Sequence, residues 1–263
     1  RDIYKLEVNE PFKQLFTQGM ITSVDSEGHL IDVQIEAGYP SPTDEHLDIT
    51  KSKGHIVGYV FDPESPRRLE QFFDQYLRVP VQDLGNGTFR YQSSHDNPVS
   101  SEMVGKRFAV IGRRKGNAIE IWDATDCLIE QVSVYSAPAC AFGVFGSANV
   151  TIDRCKVILK PRTTRTMSTN ADGLHSKWCS VGPTLSNSSF TGMGDDSVNV
   201  GGSYTPVIEQ PDDHTLVVES HGTIIGAPAQ LVSFDRKTHG HFELGPVISI
   251  RDTKAEGYDR GCL

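Results

Sequence analysis

Ile129-Glu130-Gln131-Val132-Ser133-Val134, Ile152-Asp153-Arg154-Cys155-Lys156-Val157 and Leu185-Ser186-Asn187-Ser188-Ser189-Phe190 are one line of sequence written three times. The second copy follows the first by 23 residues, and the third follows the second by 33. A companion line aligns in the same way through Ala118-Ile119-Glu120-Ile121, Ala141-Phe142-Gly143-Val144, Ala171-Asp172-Gly173-Leu174 and Asp195-Asp196-Ser197-Val198. Short β-rich runs broken by Gly, Asn and Ser at a period of roughly 20–30 residues mark a stacked β-solenoid. No single rung can bury its own apolar face, so rungs stack and share a core. The expectation is an all-β chain built on a right-handed parallel β-helix over about 113–205.

Stacking has a chemical consequence. Positions at equal register on neighbouring rungs lie about 4.8 Å apart. Asp172 and Asp196 hold equal register in the alignment, and Asp195 directly precedes Asp196. Three carboxylates are therefore expected on one patch. A lone Asp at a solenoid corner is ordinarily a solvated turn residue that bonds nearby backbone. An Asp pair stacked beside a third Asp is poorly explained that way, because like charges at that spacing repel. Acid–base chemistry gives the arrangement a reason. Asp172 and Leu174 share strand parity, as do Asp196 and Val198, so a bend near Gly173 is needed to part acid from core.

Outward from this segment the pattern changes. Residues 1–16 are ambiguous, with a β-helix edge as one reading, and Pro11–Phe16 read as strand or helical turn. From residue 17 to 112 short strands suggest a small β-barrel or sandwich. Met20–Val24 and Leu30–Ile35 form a hairpin about Asp25–Gly28, and Asn86-Gly87 is a strong hairpin turn. Val104–Val110 reads as a strand and 38–53 as loop. Ser65-Pro66 ahead of Leu69, Phe72, Phe73 and Tyr76 predicts one short amphipathic helix. Residues 159–170 lengthen the second rung and end at Asp172; long connections in compact folds are more often functional than idle. After Gly202 the period is lost. Thr215–Glu219, Ala229–Phe234, His241–Leu244 and Val247–Ile250 predict a second small β module over 206–252. For 253–263 a return to the β-helix is left open.

Composition excludes several classes of partner. The 263 residues carry a formal charge of -9, which argues against a nucleic-acid footprint and mildly against an anionic polymer. No apolar run is long enough to span a bilayer, so no membrane partner is expected; an oligomer is left open. The chain reads as a mature or trimmed piece of something longer, with no signal peptide. Five Cys is an odd count without zinc spacing. Cys127, Cys155 and Cys179 fall where small buried thiols pack well, and the count leaves the compartment open.

Around the acids stand candidate substrate contacts. His175 reads either as a substrate contact or as a structural histidine. Arg162 and Arg165 would be solvated loop residues by default, but they lie just before Asp172. Trp178 fits either the core or a sugar-stacking platform. His239-Gly240-His241 lies at a turn in the second module.

The motifs resemble two families of parallel β-helix glycosidases. The Asn-x-Asp-Gly and Gly-x-Asp-Asp pair is similar to the polygalacturonases of glycoside hydrolase family 28. The match is closer to family 110, the α-1,3-galactosidases, through Arg165-Thr166-Met167-Ser168-Thr169-Asn170-Ala171-Asp172 and Gly192-Met193-Gly194-Asp195-Asp196-Ser197-Val198-Asn199-Val200. Family 110 also carries small β-barrel modules. Gly173 stands where that family often has Ala, and Gly201-Gly202 where His-Gly is expected; the His-containing and Arg-x-Lys motifs of family 28 have no counterpart. The resemblance implies an inverting glycoside hydrolase acting on a glycan, with Asp172, Asp195 and Asp196 catalytic. Asp172 and Asp196 would hold the water and Asp195 would project separately as the acid. His175, Arg162, Arg165, Trp178 and Asn199 would bind substrate, with no metal and no cofactor. A neutral terminal α-galactoside, cleaved in exo mode, is expected. The alternatives are a polygalacturonase-like hydrolase, a polyuronate lyase or epimerase, and a non-catalytic carbohydrate-binding β-helix. The expected location is extracellular or periplasmic.

Overall fold

A computed structural model describes residues 7–9, 16–43, 56–94, 97–112, 116–202, 206–218, 230–235, 237–238 and 240–249. The described residues are all-β apart from a single 3-10 turn at Ser101–Met103. The chain forms two compact units, Arg1–Gly201 and Gly202–Leu263.

The first unit opens with β1 (Glu7–Asn9), then β2 (Phe16–Asp25), β3 (Leu30–Ile35), β4 (Ile56–Phe61), β5 (Gln75–Gly85), β6 (Thr88–Ser93) and β7 (Arg107–Gly112). Strands β2 to β7 close into a barrel in the order β2-β3-β6-β5-β4-β7. Closure removes the exposed edges that a small open sheet would have to protect. The barrel core gathers Ile21, Ile31, Val60, Phe89, Tyr91 and Phe108. Asn86 (φ 52°) and Gly87 (φ 75°) both lie in the left-handed region, the geometry of the tight turn that fits strand twist.

The helix expected at 65–76 does not form. The Asp62 carboxylate accepts from the amides of Glu64 and Ser65, turning the chain, and the Leu69 amide donates to the Val60 carbonyl. Leu69 and Phe72 are buried in the barrel, while Tyr76 already belongs to β5. Pairing beside β4 outcompetes an isolated helix too short to stabilise itself.

Next come β8 (Ile119–Trp122), β9 (Leu128–Glu130), β10 (Ser133–Ser136), β11 (Phe142–Phe145), β12 (Thr151–Asp153), β13 (Lys156–Val157), β14 (Leu174–Lys177), β15 (Thr184–Ser186), β16 (Ser189–Phe190) and β17 (Val198–Gly201). They form three parallel sheets, β17-β14-β11-β8, β15-β12-β9 and β1-β10-β13-β16. Ile129, Ile152 and Leu185 pair across strands in one row, and Val134, Val157 and Phe190 in another. That is the register of the repeated line. The companion line needs one correction: Leu174 pairs with Phe142, not Val144, although Leu174 does pair with Val198. A slip of two residues keeps every side chain on its face, so alternation alone does not detect it.

Phe142, Val144, Ile152, Cys155, Val157 and Leu174 are buried together, with Cys127, Cys179 and Phe190 packed against them. Among the described residues Cys127, Cys155 and Cys179 are free thiols. The sheets are joined by corners in a recurring left-handed conformation. Gln131, Arg154 and Asn187 occupy one such position, at φ 58°, 51° and 49°. Asp123, Gly146 and Trp178 occupy another, at φ 47°, 58° and 60°.

Insertion residues 165–172 are buried against the barrel. The Gln18 amide donates to the Thr164 carbonyl at 2.9 Å, and its Oε1 accepts from the Thr166 amide and hydroxyl. Phe16, Val57, Tyr59, Phe61, Ile111 and Met167 make the apolar part of this junction.

The second unit contains β18 (Val207–Asp212) antiparallel to β19 (Thr215–Val218), and β20 (Gln230–Phe234) antiparallel to β21 (His241–Pro246). Strand β18 had no clear signal in the sequence. Val247–Ser249, expected in a strand, is irregular and Ile248 is exposed. The His241 ring lies against Phe234, while His239 and 253–263 lie outside the described residues.

Candidate active site

The three acids meet where β14 and β17 begin. One carboxylate oxygen from each of Asp172, Asp195 and Asp196 lies within 4.8 Å of the others. Asp172 and Asp196 each stand two residues before the paired Leu174 and Val198, so strand register alone sets them side by side. The Gly173 amide donates to the Asp196 carbonyl at 2.9 Å, which locks the two segments together. Gly173 is required by this approach. A Cβ there would lie 2.6 Å from the Ser197 carbonyl oxygen.

The acids differ in surroundings. Asp172 is buried, and its Oδ2 lies 2.5 Å from His175 Nδ1. That contact orients the imidazole and fixes which nitrogen faces the carboxylate. Asp195 and Asp196 are exposed. Asp196 accepts a 2.9 Å hydrogen bond from the Asn199 amide, whose oxygen accepts from Lys177 Nζ at 2.9 Å. The lysine thereby sets the orientation of the amide. Asp195 does not project separately, since its oxygen stays within the same 4.8 Å group.

The barrel holds the acidic loop from below. The Tyr59 hydroxyl donates to the Gly194 carbonyl at 2.5 Å, immediately before Asp195. The Asn170 amide donates to the Gly112 carbonyl at 3.0 Å, and the Gly194 amide to Thr169 at 2.9 Å. Gly194 admits no side chain, because a Cβ would lie 2.7 Å from the Asn170 carbonyl oxygen.

The remaining expected contacts divide. His175 and Asn199 stand beside the acids, in register with one another on β14 and β17. Trp178 is half-buried at a corner where its counterparts are Asp123 and Gly146; its ring lies 6.2 Å from Phe145 and its indole N–H is buried without a partner. The two arginines differ in setting, Arg165 facing the interior and Arg162 the solvent. Arg165 is 5% exposed, with its guanidinium donating to the Tyr135 carbonyl at 3.2 Å. Burial pushes it below its ordinary value, and the same burial pushes the neighbouring Tyr39 phenol up. It serves the junction between barrel and sheets, because the insertion folds inward there. Arg162 is exposed at a left-handed position, with no hydrogen bond or ion pair to the acids.

Several residues of the site carried no signal beforehand. Lys177, bonded to Asn199, and Cys140, within 4.8 Å of Asp172 and His175, adjoin the acids, and Phe145 lies 6.1 Å from the His175 ring. The clue was present in the register: Trp122, Phe145 and Lys177 share one row, and Glu120, Gly143, His175 and Asn199 share the next. Two donor sets could hold a cation. The three carboxylates suit a hard ion, while Cys140, Asp172 and His175, also within 4.8 Å of one another, suit a softer one such as zinc.

The comparisons with known proteins point to one class, glycan-cleaving galactosidases. No protein-family model matches the sequence. The chain resembles the α-1,3-galactosidases. It is 33% identical over 131 residues to α-1,3-galactosidase B of Phocaeicola vulgatus, covering 47% of this chain and 22% of that protein. It is 27% identical over 174 residues to α-1,3-galactosidase A of Streptomyces avermitilis, covering 64% and 27%. Against α-1,3-galactosidase A of Shewanella woodyi it is 20% identical over 210 residues, covering 77% and 34%. The chain thus spans about a third or less of the length of these relatives.

Proposed function

We propose that this chain carries the catalytic site of an inverting, exo-acting glycoside hydrolase that releases a terminal α-linked galactose, on a right-handed parallel β-helix. The observation that carries the reading is the convergence of Asp172, Asp195 and Asp196 within 4.8 Å, with His175 fixed on Asp172. The parallel sheets and their in-order pairing support the β-helix, and the printed names of the relatives support the galactoside.

Hydrolysis of a glycoside needs one group to protonate the leaving oxygen and one to activate water. Asp172 and Asp196 are each anchored, by His175 and Asn199, and suit the pair that grips the water. Asp195, exposed at the loop tip, is assigned the proton transfer to the leaving sugar. Inverting couples stand about 6.5–9.5 Å apart, wider than the 4.8 Å within which these three oxygens lie.

The reading is tested by a proton NMR time course on an aryl α-galactoside, where the first product should be β-galactose. Retained configuration refutes inversion. Asp195→Asn should lower kcat about 10²–10⁴-fold while sugar affinity persists; unchanged turnover would remove Asp195 from the catalytic acids, and affinity without turnover in the unaltered chain would leave a binding protein. Turnover should survive excess chelator, and its loss would favour a calcium-assisted lyase.

A further inference from the structure

We propose that Trp122, backed by Phe145 and held by Glu120, is a second sugar-binding subsite that receives a residue of the glycan beyond the galactose being released. The inference rests on the glycosidase reading above and deepens it.

The two rings are stacked, with centroids 4.3 Å apart and planes inclined by 29°. Phe145 covers one side of the indole, yet Trp122 remains 49% exposed. An aromatic ring supported on one side and open on the other offers a flat apolar surface to the C–H face of a sugar. The indole N–H donates to Glu120 Oε2 at 3.1 Å, and Glu120 Oε1 accepts from the Asn117 side-chain amide at 3.0 Å. The carboxylate fixes the ring and remains exposed beside it as an acceptor for sugar hydroxyls.

Continuity with the acids is the second observation. Phe145 leans over Gly143, where a Cβ would lie 2.7 Å from the ring. That tilt brings Phe145 to 6.1 Å from the His175 ring, which touches Asp172. The path Asp172, His175, Phe145, Trp122 is unbroken. Strand β8 stands two spacings, about 10 Å, from β14, so a ring on Trp122 lies past the sugar at the acids. Exposed stacked aromatics also occur as plain surface ladders, and the experiment separates the two.

The probes are a trisaccharide ending in α-1,3-linked galactose, free galactose and an aryl α-galactoside. The chain has two tryptophans, so Trp178→Phe leaves Trp122 as the sole indole reporter. Saturating trisaccharide should shift or quench its fluorescence, and saturating galactose should not. Trp122→Ala should lower the ratio of trisaccharide to aryl-galactoside kcat/KM about three- to tenfold, the range of an aromatic contact, and Trp122→Phe should restore part of it. An unchanged ratio together with unresponsive fluorescence overturns the subsite. A protein without turnover on either glycoside whose Trp122 still responds to the trisaccharide overturns the hydrolase reading and keeps the subsite. If Trp122→Ala does not fold, the fluorescence result decides alone.

Discussion

Lys177 illustrates how a side chain can matter without touching the acids. Its ammonium fixes the Asn199 amide, and that amide in turn holds Asp196. Replacing Lys177 with Met keeps most of the aliphatic stem and removes the donor. Asn199 is then free to flip, and Asp196 loses a defined partner. We expect kcat to fall about tenfold, the cost of one charge-assisted hydrogen bond, with little change in thermal stability because the side chain is partly exposed. Equal loss of stability and activity would mean that the lysine is merely structural. A position nearby is also informative: a Cβ at Gly201 would sit 3.0 Å from the Lys177 ammonium. Where the resemblance leads one to expect His, this chain keeps space for a lysine from the adjacent strand. Trp178 makes the opposite bargain, since a bulky residue at φ 60° costs about 1–2 kcal/mol. Strain of that kind concentrates at functional sites, and here it sets an indole beside Phe145.

At the level of elements, strand β4 of the barrel and the loop before β17 work as a pair. Tyr59 is 2% exposed and reaches from β4 to the Gly194 carbonyl. Tyr59→Phe retains the ring that packs with Phe16 and Ile111 but strands a buried carbonyl. The expected cost is about 1–3 kcal/mol of stability, read from a denaturant midpoint. The kinetic signature should be a drop in kcat larger than any change in KM, because the loop carries Asp195. Unaltered kcat with reduced stability would show that the barrel supports the fold and not the acids. The strand register was legible at this level along one line of the repeat: Ile129, Ile152 and Leu185 pair as aligned, even though residues 159–170 intervene before Leu185. It failed on the companion line at Leu174, shortly after the insertion, where a two-residue slip preserved parity. The Tyr59–Gly194 contact, 135 residues apart in the chain, had no trace in any local pattern. Nor did the row Trp122, Phe145, Lys177, because outward residues on four-residue strands lack a periodic signature.

The whole molecule carries a charge of -9, and two of the three clustered acids face solvent. Arg165 is buried, and Arg162 makes no hydrogen bond or ion pair with the acids. Polygalacturonate should therefore be a poor ligand, and turnover of a neutral aryl α-galactoside should change little between low and physiological ionic strength, since screening acts on charged partners. Release of oligogalacturonides from the polymer would reverse this assignment. The first unit's architecture has one more implication. The carbonyl that Tyr59 grips belongs to the loop that carries Asp195, so occupancy of the site and integrity of the barrel are not independent variables. By reciprocity, whatever free energy a bound galactose draws from an ordered Gly194 loop is returned as resistance of β4 to opening. The barrel is then a thermodynamic partner of the ligand.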